Sequence, residues 1–302
     1  KTVDLIYNKP VPPSSGIVTG SIPTNIGSVL NTGVEVDLNG VILKGNDLLW
    51  TANLNLTHYK NKILSLSPEL EALGGQKGSV FIRKVGGSLA NAYLREYAGV
   101  DPSTGEARYY NDPDNGDYSY ATSYNAATRT DLGDLLPKLY GGFGTRLEFK
   151  GFDFSAMFSY QLGGRIYDDG YAIFMHTGSG SRVGYNWHKD ILNAWTPENT
   201  NTNIPRLSAG DNVTNSASSR FLISSDYLSI NNLTLGYTLP KNWLNNIGLQ
   251  AARVYLACDN LAVFSARKGL DPRYSYGASG NNGASSDYPA MRTVTAGVQV
   301  TF

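Results

Sequence analysis

Cysteine occurs once, and methionine and histidine only three times each, in the 302 residues. The lone Cys258 excludes an internal disulfide and any multi-cysteine metal site. Lying in an apolar stretch, it reads as a small buried or lipid-facing side chain. His58, His176 and His188 lack metal-ligand spacing, so no metal and no other cofactor is expected. Charge is scarce too: Asp, Glu, Lys and Arg make up 17% of the chain, against roughly 25% in soluble domains. Acidic and basic residues balance at 25 each, so there is no net field to draw a polyanion, and nucleic acid is not an expected partner. No apolar run approaches the ~18 residues of a membrane-spanning helix. A closed β-barrel is then the one way such a chain crosses a bilayer, because lipid offers the backbone no hydrogen-bond partners.

What the chain does have is glycine (33), tyrosine (20) and period-two alternation. Val294, Ala296, Val298, Val300 and Phe302 alternate with Thr293, Thr295, Gly297, Gln299 and Thr301. Residues 152–162, 48–56 and 33–42 repeat the pattern, and further strands are expected at 1–7, 89–99, 105–110, 139–149, 227–239 and 250–264. That makes about ten, many near the ~9–11 residues of a tilted membrane strand. Tight connections are expected at 44–47, 101–105, 150–151 and after Pro240, and long polar excursions at 111–138, 165–226 and 265–288. Short turns on one rim and long loops on the other suit an outer-membrane barrel better than a soluble sandwich. Lys1 to Tyr7 read as a strand already under way, as if the sequence were cut from a longer one.

No catalytic set emerges, and the chain is not expected to be an enzyme. Gly178-Ser179-Gly180 lacks the pattern and context of a nucleophile elbow. Asp168 and Asp169 are adjacent, so their side chains diverge on an extended chain and read as a solvated turn. Asn111 to Asp117 has the composition of a calcium loop, but the glycine and the bidentate Glu are out of place, which leaves a plain turn. Four aromatic residues of the longest excursion, Tyr185, Trp187, His188 and Trp195, are candidates for contact with a substrate or a docked lid, with packing of the loop against itself as the alternative. A helix is expected over 189–195, stopped by Pro197. Trp50, Tyr59, Tyr140, Tyr160, Tyr237 and Trp243 suit interfacial girdles. On the polar faces, Asp153, Gln161, Arg253 and Gln299 are candidates to line a lumen. Phe302 is a candidate terminal signal for the barrel-assembly machinery, or one more side chain facing membrane lipid.

Several phrases, in order along nearly the whole chain, resemble the C-terminal portion of SusC-like (SusC/RagA) TonB-dependent transporters. They include residues 25–35 (NIGSVLNTGVE), 97–105 (YAGVDPSTG), 137–143 (PKLYGGF) and 195–199 (WTPEN). The most specific are 227–240 (YLSINNLTLGYTLP) and 253–261 (RVYLACDNL). The resemblance implies a barrel of roughly 22 strands in the outer membrane of a Gram-negative bacterium. Residues 1–302 would supply its last ten strands, with the plug domain and the TonB-coupling segment lying outside this sequence. It also implies a SusD-like surface lipoprotein as lid, TonB as energy source, and glycan fragments or peptides as cargo. A small autonomous porin or adhesin barrel and a soluble carbohydrate-binding β-sandwich remain as alternatives.

Overall fold

The computed structural model describes all residues except 4–5, 12, 19–20, 26, 179–182, 212, 246–247 and 275–289. Seven strands form one antiparallel sheet: β1 (Gly27–Lys44), β2 (Leu48–Leu66), β3 (Leu139–Phe149), β4 (Phe152–Leu162), β5 (Tyr227–Thr238), β6 (Ala251–Ser265) and β7 (Thr293–Thr301). Their order in the sheet is their order in the chain, the up-and-down pattern of a barrel wall. Among the described residues no helix is long and apolar enough to cross a membrane.

The ladder sorts the side chains onto two faces. Leu43, Trp50, Leu147, Phe154, Leu235, Leu256 and Ala296 stand opposite one another across all seven strands. This row is wholly apolar, yet Leu43, Leu235 and Leu256 are 51%, 51% and 53% exposed. A contiguous exposed apolar band is what a lipid-facing wall requires. On the other face, Asn39, Asn53, Gly144, Met157, Asn232, Asp259 and Thr293 form a mostly polar row. It is the face that a closed barrel would turn to its lumen.

Connections alternate strictly in length. Gly45–Asp47, Lys150–Gly151 and 239–250 join strands at one rim, whereas 67–138, 163–226 and 266–292 leave from the other. Lys150 (φ 47°) and Gly151 (φ 86°) close a two-residue hairpin with both residues left-handed, the geometry that matches strand twist. The 239–250 connection carries the short helix Lys241–Leu244.

Three of the expected wall strands lie elsewhere, so the wall sheet has seven strands among the described residues rather than ten. The first stretch touches the wall's edge only through one bridge, Thr2 with Val29 of β1, and then gives a strand at Ile6–Pro10 that pairs with Ser21–Asn25. Within 89–99, Asn91–Arg95 pairs with Phe81–Arg83 and Arg129–Asp134, and Tyr97–Val100 pairs with Ala107–Asp112. These pieces are too short to span a bilayer, and Ala92 and Leu94 are buried in a core instead. The turn at Asp101–Gly105 therefore belongs to an excursion and not to the short-turn rim, and the first excursion begins at 67.

The described residues of the first two excursions fold against each other. Val80, Phe81 and Leu94 of the first pack with Tyr167, Ala172, Met175 and Phe221 of the second. β2 runs on into this body, where Ile63 is buried and its N–H donates to Gly87 O at 2.8 Å.

Candidate functional site

At the short-turn rim the luminal face carries a bidentate ion pair. Arg253 of β6 donates to Asp153 of β4 through Nε (2.7 Å) and Nη2 (2.5 Å). The two strands are separated by β5, and the pair lies over Gly236. A Cβ there would meet an Asp153 carboxylate oxygen at 2.3 Å and Arg253 Nη2 at 2.4 Å. A side chain there would displace the bridge from this position, by moving the flexible ends of Asp153 and Arg253. Gln299 stands opposite Arg253 in the ladder, and Arg146 pairs with Glu148 at 2.8 Å nearby. Lys44, Arg146, Glu148, Asp153 and Arg253 help to line a hollow of about 520 Å³. Three of the four luminal candidates thus come together at one end.

Gln161 lies at the opposite end. It shares the luminal face but is only 6% exposed, and its amide donates to Ser225 O (2.9 Å) and Ser225 Oγ (3.0 Å). It ties the root of the second excursion to the wall, which removes it from the lumen surface.

The aromatic candidates divide into two pairs. Tyr185 and Trp187 are about half exposed, with Trp187 Nε1 donating to His176 O at 2.9 Å and its ring stacked on His176. His188 and Trp195 serve the fold. His188 accepts from Asp190 N–H as the cap of a 3₁₀ turn at Lys189–Asn193, and its ring meets Tyr171 edge-on at 4.8 Å. The expected helix is this turn, which ends before Ala194. Trp195 donates to Pro102 O at 3.1 Å and covers Gly105, pinning the second excursion to the first. Of the girdle candidates, Trp50, Tyr160 and Tyr237 share the apolar face, whereas Tyr59 and Tyr140 pair edge-on at 5.9 Å on the polar one. Trp243 is exposed on the short helix, and Phe302, beyond β7, is exposed too.

Asp168 is not a solvated turn. It is fully buried, caps the helix Asp169–Phe174 by accepting from Tyr171 N–H, and receives Arg267 Nε (2.5 Å) and Nη2 (2.9 Å). Sequence reasoning missed Arg267, since nothing local marks a partner 99 residues away. It also missed Arg220, which lies against the rings of Tyr97 (5.7 Å) and Phe221 (5.0 Å). Burial pushes Tyr97 up to about 12, an effect Arg220 partly offsets, and burial with Asp190 does the same to Tyr171. The Ser103 hydroxyl and N–H, with Arg108, hold Asp101 well below the usual carboxylate range. Among the described residues no group of three or more His, Cys, Asp or Glu could hold a metal ion.

No family model matches the chain. It is 30% identical over its whole length to "TonB-dependent receptor P3" of Formosa agariphila, covering 31% of that protein. It is 24% identical to "TonB-dependent receptor SusC" of Bacteroides thetaiotaomicron, covering 29%. The chain spans about a third of the length of the curated relatives it matches. Among solved structures, the RagAB peptide transporter superposes with a TM-score of 0.80 at 30% identity, over 99% of this chain and 32% of that one. The RagAB peptide importer in its open-open state gives 0.81 at 29%, over 100% of this chain and 32% of that one. These relatives are receptors and transporters, not enzymes.

Proposed function

We propose that this chain, similar over its whole length to TonB-dependent receptors and to the RagAB transporter, forms the C-terminal part of the barrel of a SusC-like active importer of the outer membrane. Cargo passes through the lumen without covalent chemistry, driven by TonB through a segment outside this sequence. A SusD-like lipoprotein closes the external mouth, and the exposed Tyr185 and Trp187 are the side chains offered to lid or cargo. The observation that carries this reading is the two-faced wall, with every short turn at one rim and every long excursion at the other.

The cargo we propose is glycan fragments. The mid-lumen row offers amides and a hydroxyl from Asn39, Asn53, Asn232 and Thr293, and its acid Asp259 already accepts from Asn232 at 2.6 Å. Neutral hydrogen-bonding groups suit polyhydroxylated chains. Peptides are the second reading, supported by the 30% identity to the RagAB peptide transporter.

The test is uptake by cells with and without the intact importer, using labelled oligosaccharides and labelled peptides, with and without a proton-gradient uncoupler. Uncoupler-sensitive accumulation of oligosaccharides alone supports the first reading, and of peptides alone the second. Accumulation that ignores both the uncoupler and the deletion contradicts active import.

A further inference from the structure

The third excursion starts where β6 ends, yet it does not turn out to solvent. Ser265 Oγ donates to Leu270 O at 2.7 Å, and Leu270 N–H to Arg267 O at 3.0 Å, which curls the chain back. Arg267 then clasps buried Asp168. Leu270 packs with Ile166 and Ile223 at the root of the second excursion. Arg273 follows in a 3₁₀ turn at Pro272–Tyr274 and is held by Asp271 through Nε (2.8 Å) and Nη2 (2.6 Å). Its remaining terminal nitrogen, Nη1, reaches the wall, donating to Ser229 Oγ at 2.9 Å and Asn231 Oδ1 at 3.3 Å.

The wall at that point is luminal and irregular. Ser229 stands opposite Ser159 on the polar face, and Ser159 Oγ donates to Asn231 at 3.2 Å. Asn231 is skipped by the ladder on both sides, towards β4 and towards β6, and Asn260 across from it takes φ 51°. A residue expelled from two ladders presents its side chain where a regular strand would not. Arg273 takes that side chain as a partner.

We infer that residues Ala266–Arg273 form an inward-turned ledge that narrows the external mouth of the lumen, with Arg273 as the residue that positions it. This rests on the importer reading. A loop that only had to connect β6 to β7 would run through solvent, as most connections do. Placing two guanidinium groups against carboxylates in partly buried ground adds little net stability, because desolvation offsets the attraction. What such contacts supply is a fixed position, here on the pathway side of the wall. The ledge therefore sets an upper limit on cargo size.

The experiment measures initial uptake rates in cells carrying the full-length importer, for two fluorescent ladders of graded length, oligosaccharides and peptides. The account expects Arg273→Ala to raise the ratio of longest to shortest cargo several-fold at normal outer-membrane abundance, with Arg273→Lys between it and wild type. An unchanged ratio overturns the ledge, and so does an equal fall at every length, which would mean a structural role alone. If Arg273→Ala fails to assemble, the same ratio is read in the S229A/N231A double variant, which leaves the Asp271–Arg273 pair in place. If the wild type takes up neither ladder, the importer reading itself falls and takes the ledge with it.

Discussion

The barrel wall and the external body obey different rules for the same side chains. In the wall, Leu235, Leu256 and Val298 stay half exposed or more, and nothing among the described residues covers them. In the external body, Leu94, Met175 and Phe221 are almost wholly buried against one another. Lipid replaces the core in one region, and the protein must build its own in the other. Regular alternation is the signature of the first solution only. In the second, strands such as Asn91–Arg95 have both faces covered, and their sequence does not say so.

The largest expected effects separate the two regions. Phe221→Ala should cost about 3–5 kcal/mol, all of it in the external body. Hydrogen exchange should then rise across 80–95 and 165–175 while the wall keeps its resistance to heat in detergent. Loss of the wall as well would mean that the two regions are not separable.

Val298 faces the apolar side with Val254, Tyr237 and Phe152, whereas Gln299 faces Arg253. An arginine at 298 should cost about 2–4 kcal/mol, and one at 299 far less. Equal folding yields in detergent would contradict the assignment of faces.

Asp168→Asn removes one charge of the clasp between the second and third excursions. Because Arg267 keeps a quarter of its side chain exposed, about 2 kcal/mol is expected, below the ~3–5 of a fully buried pair. Faster proteolysis near 266–270 would report it, and an unchanged rate would show that the clasp does not hold the third excursion.

The smallest effect is acid sensitivity. Hydrogen bonds from Ser119 and Asn111 lower Asp117, and Ser103 lowers Asp101. Burial alone would raise Asp131, but Lys84, the Gly133 N–H and Asn91 outweigh it and bring it down. Depressed carboxyls contribute stability that is complete above the unfolded value near ~3.9 and is lost as pH falls through the folded one. Protection of the amides around 99–134, relative to their intrinsic exchange at each pH, should therefore stay flat from neutral pH to about that value and fall only below it. Loss of protection already at mildly acidic pH would contradict these hydrogen-bond assignments.

The wall was legible in the sequence because its period matches the pleat. The stretches at 152–162 and 293–302, with their facing, were readable from residue types alone. The turn at Lys150–Gly151 was also marked in the sequence. The external body was not legible. Its strands mimic short wall strands, and its contacts join residues far apart, as Arg267 joins Asp168. The luminal ion pair was half visible: Asp153 and Arg253 stood on polar faces, but their meeting across Gly236 depends on register. Gln161 was on the expected face, yet Ser225 covers it, and no local signal announces that.

The most direct test of the two-faced wall is spin labelling along β7 of the full-length protein in lipid bilayers, one label at a time from 294 to 301. The account predicts that labels at 294, 296, 298 and 300 collide with dissolved oxygen. Those at 295, 297, 299 and 301 should collide with a water-soluble nickel chelate instead. Loss of this alternation, or its inversion, would contradict the membrane wall on which the functional reading stands.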